Sequence, residues 1–439
     1  LSENEEEVTM AKSFMPKFST KDELRDIQLK GLQWTVRHAY NGSPFYRKRL
    51  DEAGIGPESI GDLGDLHKLP FTTTDHLKEG YPFPLISVPL EKVVRIHASS
   101  GTTGKRKVLC YTQKDINDWA TFFARVYEMI QLTKRDRVQI SVGYGVWTAG
   151  IGFQLACEKF GAMAIPIGPG NIDMQCQFLE DFQTTVLMCT ASMGLLMAEE
   201  ISQRGIRDRL NLKKMTIGSE RSSDAMRKRI RDLLGLEDLY DVSGMTELYG
   251  PGTGVDCSYH MGIHYWADYY ILEILDPDTL KPVPEGEIGE MVITTLRKEA
   301  VPLIRYRTRD LTRLIPGECP CGSIMPRHDR ILGRSDDMII FRAVNIYPGQ
   351  IDAVLSKIDG IGSEYQIVLD REEDGKDYMK LRVERKVDAD LHDDGTLAQR
   401  IQGEIKKQVL VSVNVQIEDY GALPRSERKS RRVFDNRGF

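Results

Sequence analysis

Four stretches of the chain carry side chains suited to holding a polyphosphate. Ser99-Ser100-Gly101-Thr102-Thr103-Gly104-Lys105 crowds hydroxyls, glycines and a lysine between two apolar runs. Glycines let a backbone approach phosphate oxygens, hydroxyls donate hydrogen bonds, and lysine adds positive charge. The spacing is not that of G-x-x-x-x-G-K-[ST], so this is not a Walker loop; a polar hairpin turn is the competing reading. Ser243-Gly244-Met245-Thr246-Glu247 and Tyr306-Arg307-Thr308-Arg309-Asp310 each end on a carboxylate. Taken alone, such a carboxylate is ordinarily solvated or a helix cap. Lys429 sits in a basic run with Arg425, Arg428, Arg431 and Arg432, and most such runs are exposed charge.

One chemistry needs this assortment together. A carboxylate is a poor acylating agent because its leaving group would be oxide, and adenylation turns it into a mixed anhydride that expels AMP. That reaction requires a grip on the ATP phosphates and ribose, positive charge near the α-phosphate, and a divalent cation. A separate set has metal-ligand character: Cys257, His260 and His264 lie close together, and Cys319-Pro320-Cys321 follows on a Pro/Gly turn. Cys/His sets of this kind suit four-coordinate structural zinc; a buried cysteine and a metal-free C-x-C are the alternative.

The elements that must position these residues alternate. Thr20 and Glu23 form a capping-box pattern ahead of Leu24, Ile27, Leu29 and Leu32, and Asn41-Gly42-Ser43-Pro44 ends that helix. Apolar runs at 93–97 and 108–111 precede a helix expected over 115–132 and a strand over 138–142. Short runs at 185–188, 214–217 and 239–242 each adjoin a helical segment. Strands alternating with helices predict an α/β architecture with mixed, largely parallel sheet. Past Asp268 the segments 269–275, 289–294 and 311–315, broken by Pro/Gly turns, predict an antiparallel β-rich subdomain at about 265–330. A boundary is expected at Gly333-Arg334-Ser335-Asp336-Asp337. This divides the chain into a large domain (1–333), a hinge (334–337) and a small α+β domain (338–439), with helices over 349–358 and 396–410.

Composition narrows the class. The 439 residues are 41% hydrophobic and 28% charged, ordinary for a globular protein with more than one domain. A net charge of −6 and a pI of about 5.9 leave no basic footprint for nucleic acid. No apolar stretch nears the ~20 residues a bilayer span needs, so no membrane partner is expected. Residues 1–8 are acidic rather than basic-then-apolar, so the chain as given shows no secretory signal; because it opens on leucine, a few native residues are expected to precede it. Seven cysteines, an odd count in a long chain, argue against a disulfide framework and for a cytoplasmic, reducing setting.

Ser99 to Lys107 resembles the phosphate loop of the AMP-dependent acyl-CoA synthetases, most closely the phenylacetate–CoA ligase branch. Four further motifs follow in family order: Ser243 to Glu247 resembles aromatic-G-x-[ST]-E, Tyr306 to Asp310 resembles Y-R-T-G-D, Gly333 to Asp337 resembles the G-R-x-D-D hinge, and Pro424 to Lys429 resembles P-R-[ST]-x-G-K. The likeness runs from about Asp22 to the C-terminus. It implies a small-molecule carboxylic acid, ATP/AMP and coenzyme A as ligands, with Mg²⁺. In it Ser99, Ser100, Gly101, Thr102, Thr103, Gly104 and Lys105 hold phosphates. Thr246 bonds the α-phosphate, Glu247 helps hold Mg²⁺, Asp310 takes both ribose hydroxyls, and Arg334 faces ribose or phosphate. Gly218-Ser219-Glu220, Asp241, Ser243, Gly244 and Met245 complete the nucleotide site. Lys429 bridges the α-phosphate and the acyl carboxylate. Tyr144, Gly145 and Trp147 fall where this branch builds its acyl pocket, favouring an aryl or arylacetic acid; both aromatics as core residues is the alternative. Some members of the branch carry a Cys…His…C-x-C set with the histidine seven residues after the first cysteine, which points to Cys257, His264, Cys319 and Cys321 for structural Zn²⁺. A homodimer is a family-level expectation.

The sequence departs from the family pattern at Ser243, where an aromatic usually stacks on adenine, at Arg309, Arg428 and Ala343, which replace glycines, and at Arg106, which replaces a proline. A non-CoA acceptor (a carrier-protein thiol or a cofactor hydroxyl) and a non-catalytic nucleotide-binding protein of the same fold are the competing functions. In the resembled family the small domain swings about the hinge, here Asp336, delivering or withdrawing its lysine. Lys429→Ala is therefore expected to abolish acyl-adenylate formation while leaving thiol transfer from supplied adenylate largely intact, as separate assays of the two half-reactions will measure. Equal loss of both would contradict the division.

Overall fold

The computed structural model describes residues 13–99, 106–337, 339–341, 344–371, 377–386, 394–424 and 432–437. The first helix, Lys21–Gly42, starts on the expected capping box: the Glu23 N–H donates to Thr20 Oγ1 (3.2 Å) and the Thr20 N–H to Glu23 Oε2 (3.1 Å). The Gly-Ser-Pro that ends it also begins the next, Pro44–Glu52, with Ser43 as N-cap and Pro44 in the first turn. Gly42 is required there, because a Cβ would fall 2.1 Å from the Ser87 carbonyl oxygen.

Strands Arg95–Ala98 and Val108–Tyr111 pair antiparallel into a β-ribbon, with the Ser99 N–H donating to Lys107 O (3.0 Å). Residues 100–105 of the hydroxyl-rich run lie outside the described residues. The helix that follows, Gln113–Met129, begins slightly earlier than expected because Thr112 and Asp115 form a second capping box.

The core of the fold is a nine-stranded mixed sheet. Strands Arg137–Ser141, Met163–Ile165, Val186–Thr190, Lys214–Gly218 and Asp238–Met245 run parallel, with helices Ala149–Phe160, Ile172–Asp181, Ala191–Gln203 and Asp224–Leu234 between them. Gly250–Asp256, Ile263–Tyr265, Arg327–His328 and Leu314–Ile315 extend it antiparallel. A second, four-stranded antiparallel sheet holds Tyr270–Leu275, Gly289–Thr295, Tyr306–Thr312 and Gly333–Arg334. One expectation is corrected here. The segment 311–315 is not one strand: Leu311 belongs to the four-stranded sheet and Leu314–Ile315 to the edge of the nine-stranded one. Both pieces are apolar, and which sheet takes each is decided by partners distant in sequence.

Residues 361–435 build a further four-stranded sheet: Ile361–Arg371 and Asp377–Arg385 antiparallel, flanked in parallel by Val433–Asp435 and Asn414–Glu418. Helices Pro348–Leu355 and Asp394–Gln408 pack on it around a core that includes Ile351, Ile367, Leu381 and Ile401. Among the contacts that join this unit to the larger one are two from the segment 221–229. Arg221 pairs with Asp352 at 3.0 Å, and Arg229 stacks over the Tyr420 ring (4.6 Å) while donating to its hydroxyl at 2.9 Å. Among the described residues no helix is long and apolar enough to cross a membrane.

Candidate active site

The carboxyl ends of the parallel strands are where an α/β sheet leaves room for a ligand. Gly218 lies opposite Val242 there, so the Gly218-Ser219-Glu220 turn and the Ser243–Glu247 segment emerge side by side. At Gly218 a Cβ would lie 2.3 Å from Val242 O, and at Gly244 one would lie 2.3 Å from Gly250 O. Beyond Met245 the chain turns through the short 3₁₀ helix Thr246–Leu248. This turn buries both Thr246 and Glu247 (7% and 6% exposed).

Glu247 is met from two other elements. The Lys107 ammonium, from the foot of the β-ribbon, donates to Oε1, and the Tyr306 hydroxyl, from the four-stranded sheet, donates to the same oxygen at 3.2 Å. Burial pushes the Glu247 carboxyl up, but the Lys107 charge and hydrogen bond outweigh it and hold the group below the ordinary glutamate range. Thr246 Oγ1 lies 3.3 Å from Thr148 Oγ1. Asp310 follows Tyr306 on the same strand, close enough that its charge helps raise the Tyr306 phenol, whose main perturbation is burial. Arg334 donates to Asp310 at 3.1 Å and to Asp336 at 2.8 Å. Hydrogen bonds thus join Tyr306 to Glu247 and Arg334 to Asp310 and Asp336, Thr148 lies beside Thr246, and Tyr306 and Asp310 share one strand.

Other expected residues fall as follows. Ser99 directly follows strand Arg95–Ala98, its hydroxyl buried without a protein partner among the described residues. Ser100, Gly101, Thr102, Thr103, Gly104, Lys105 and Lys429 lie outside the described residues. Ser219 has φ +69°, and the Glu220 carboxylate accepts from the Ser192 N–H (2.6 Å) at the start of the neighbouring helix. Asp241 is committed elsewhere, ion-paired to Arg227 at 3.5 Å, with burial pushing its carboxyl up to about 6. The side chain of Ser243 is turned towards Gly254, and Met245 packs on the main core. Arg309, standing where the family pattern has glycine, has φ +70°; this backbone region favours glycine, which gives that pattern its physical reason.

Tyr144 and Trp147 lie on the loop ahead of Ala149–Phe160, half-buried against the main core. Glycine makes that possible: a Cβ at Gly150 would fall 2.4 Å from the Tyr144 ring, and one at Gly143 2.7 Å from Trp147. Gly145 has φ +84°. Residues not singled out from sequence support this loop. His97, 2% exposed, donates from Nδ1 to Val146 O (3.1 Å), and the Ala98 N–H donates to the same oxygen at 2.8 Å. Lys107, at the end of the stretch that resembles a phosphate loop, and Thr148, next to Trp147, carry no role of their own in the sequence, and Tyr111 and Lys298 have no motif to mark them.

Cys257, His264, Cys319 and Cys321 present their ligand atoms within 4.8 Å of one another. Cys257 and Cys319 sulfurs are 3.6 Å apart, and Cys321 Sγ is 3.4 Å from His264 Nε2. Two tetrahedral Zn–S bonds of about 2.3 Å would set sulfurs roughly 3.7 Å apart, so the spacing fits. His264 Nδ1 donates to Met325 O (2.9 Å), which leaves Nε2 as the lone-pair nitrogen facing the thiols. His260 instead bridges Asp238 and Asp256, each at 2.8 Å.

The AMP-binding enzyme family matches residues 56–296, and the AMP-binding enzyme C-terminal domain matches residues 343–437. The phenylacetate-coenzyme A ligase of Escherichia coli K12 is 40% identical over 424 residues, spanning 95% of this chain and 96% of the relative. That of Pseudomonas putida is 41% identical over 422 residues, spanning 95% of each. Among solved structures, 2-hydroxyisobutyryl-CoA ligase in the postadenylation state, in complex with R3-HIB-AMP, superposes with a TM-score of 0.87 at 26% identity, covering 100% of this chain and 95% of that one. The same ligase with 2-HIB-AMP and CoA in the thioesterification state gives a TM-score of 0.69 at 28% identity, covering 95% and 91%.

The His97 imidazole against the 143–148 loop has a measurable consequence. Burial pushes His97 down to about 4, so it stays neutral in the fold while the unfolded chain takes up a proton near pH 6.5. Its contribution is full above pH 6.5 and is lost as pH falls towards 4, a loss of about 3 kcal/mol. His328 is depressed to about 4 by burial too and adds a second such term. His97→Gln is expected to remove roughly half of this acid-side histidine loss, read from urea unfolding at pH 7 and pH 4; identical pH dependence in both proteins would show otherwise.

Proposed function

Because the chain belongs to the AMP-binding enzyme family, in its phenylacetate–coenzyme A ligase branch, we propose that the polar groups from Thr246 to Arg334 hold ATP while a carboxylic acid is activated. The protein is an acid–thiol ligase: it activates a carboxylic acid with ATP and transfers the acyl group to coenzyme A. The observation that carries the site assignment is the meeting of Glu247, at the end of the parallel sheet, with Tyr306 of the antiparallel one, on the strand that also carries Asp310.

In this reading the acid's carboxylate oxygen attacks the α-phosphorus, the bond to the α–β bridging oxygen breaks, and pyrophosphate leaves with that electron pair. The Thr246 hydroxyl donates to the α-phosphate, Asp310 accepts from the ribose hydroxyls, and Arg334 orients Asp310. Lys429 supplies positive charge as negative charge builds up on the transferring oxygens. A coenzyme A thiolate then attacks the acyl carbon, and AMP departs with the electrons of the acyl–oxygen bond. Magnesium, when bound, neutralises phosphate charge; Glu247 offers a buried hard oxygen for it, and the cation now at that oxygen is the Lys107 ammonium.

We read residues 1–333 as the adenylate-forming domain, 334–337 as the hinge and 338–439 as the lid. The higher similarity to a postadenylation state than to a thioesterification state supports reading the present lid pose as the adenylation one. Tyr144, Gly145 and Trp147 are read as one wall of an aryl or arylacetic acid pocket, supported by the relatives' phenylacetate specificity. Seven free cysteines support a cytoplasmic setting.

The test is pyrophosphate release across a panel of aromatic and aliphatic acids, with and without coenzyme A. Release with arylacetic acids, and thioester only with coenzyme A, is expected; ATP binding without release by any acid would overturn the enzyme assignment. Structural zinc on Cys257, His264, Cys319 and Cys321 is expected at about one per chain in protein purified without added metal, by elemental analysis, and less than about 0.2 per chain would sink it.

A further inference from the structure

Among the described residues Lys298 is the one lysine whose side chain is completely buried. It lies in the connection between strands Gly289–Thr295 and Tyr306–Thr312, and Asp115 pins that connection by accepting from the Glu299 N–H (2.7 Å) and the Ala300 N–H (3.0 Å). The Lys298 ammonium donates to Glu247 O at 2.6 Å and lies over the rings of Tyr111 (5.1 Å) and Tyr249 (4.9 Å). Tyr111 completes the bracket: its hydroxyl contacts Thr246 O (3.0 Å) and Tyr249 O (2.7 Å). Three carbonyls of the Thr246–Tyr249 stretch are therefore held by side chains other than the Glu247 carboxylate's own partners. The backbone there needs it, since Tyr249 has φ +135°, a conformation that persists only when surrounding contacts over-determine it.

An ammonium is an expensive way to satisfy one carbonyl. Burying it costs several kcal/mol before its partners offset the loss, and ring faces recover only part. A hydrophobic side chain would fill the space with less penalty. What the ammonium adds is a strong, directed bond to the carbonyl of the residue whose carboxylate faces Lys107.

We propose that Lys298 is a positioning residue for adenylation, fixing the Glu247 carbonyl while Tyr111 fixes that of Thr246, so that hydroxyl and carboxylate meet the α-phosphate and its cation in one geometry. This rests on the adenylation reading above. Lys298 touches neither substrate nor phosphate in this arrangement; it acts through the turn.

The test compares wild type with Lys298→Met, near in volume and uncharged. Circular dichroism and thermal melting count the folded molecules, and calorimetry with ATP alone measures nucleotide binding. Per folded molecule, the kcat of pyrophosphate release is expected to fall about 10²-fold, with the acid KM and ATP Kd changed by less than about threefold. Coenzyme A thioester formation from supplied acyl-adenylate should likewise change by less than about threefold. Unchanged adenylation per folded molecule, or equal loss in both half-reactions, would overturn the proposal. Tyr111→Phe keeps the ring and removes one hydroxyl; an adenylation kcat lower by about tenfold is expected, and no change would also overturn it. Combined with Lys298→Met its effect should be less than multiplicative, because both act on one turn. If wild type releases no pyrophosphate with any acid, the adenylation reading itself fails and this role with it. If wild type does and Lys298→Met matches it, only the positioning role fails.

Discussion

A carboxylate shut away from water must find its compensation inside the protein, and Glu247 draws it from several separate parts of the chain. Lys107 comes from the β-ribbon, Tyr306 from the antiparallel sheet, and Lys298 reaches the same residue's carbonyl from the connection between two strands of that sheet. An isolated charge there would cost several kcal/mol, and removing one partner leaves the others uncompensated. The ribbon, the nine-stranded sheet and the four-stranded sheet are therefore held in register by the chemistry of one short turn.

The C-terminal unit makes a different kind of contact. Arg221 to Asp352 and Arg229 to Tyr420 are polar and partly solvated, unlike the buried charges around Glu247. Shape adds to them. Gly349 sits so close to Leu332 that a Cβ would fall 1.7 Å from its carbonyl oxygen and 2.6 Å from Arg221. Polar contacts and a close backbone approach together give the unit a defined pose.

The departures from the family pattern have separate physical meanings. Arg309 occupies a left-handed position that glycine would take without strain, and its guanidinium comes within 3.6 Å of Glu290, a carboxylate already paired to Arg307. Ser243 turns its short side chain to Gly254, so it brings no flat face to a base. The first departure changes the backbone's cost and leaves Asp310 in line with Arg334; the second changes what a nucleotide base can stack on.

What the sequence determined by itself was local or strongly periodic. Thr20 with Glu23 starts a helix because the capping box closes within one turn, and the strand runs at 138–142 and 214–217 are apolar enough to be buried wherever the sheet lies. Glu247 and Asp310 were legible as chemistry only through their motifs in order, since a lone carboxylate has no signature. His260 and His264 are both candidates by residue type, and only the resemblance favours His264; in the fold a turn at His260, with φ +51°, sends its ring to Asp238 and Asp256 and leaves His264 facing the thiols. The split of 311–315 between two sheets, the burial of Lys298 beneath two tyrosines, and the support of the 143–148 loop by His97 belong to the tertiary structure alone. Each depends on partners in other elements, from Arg327 for Ile315 to Tyr111 for Lys298, and the buried groups on a low dielectric that exists only once they have met.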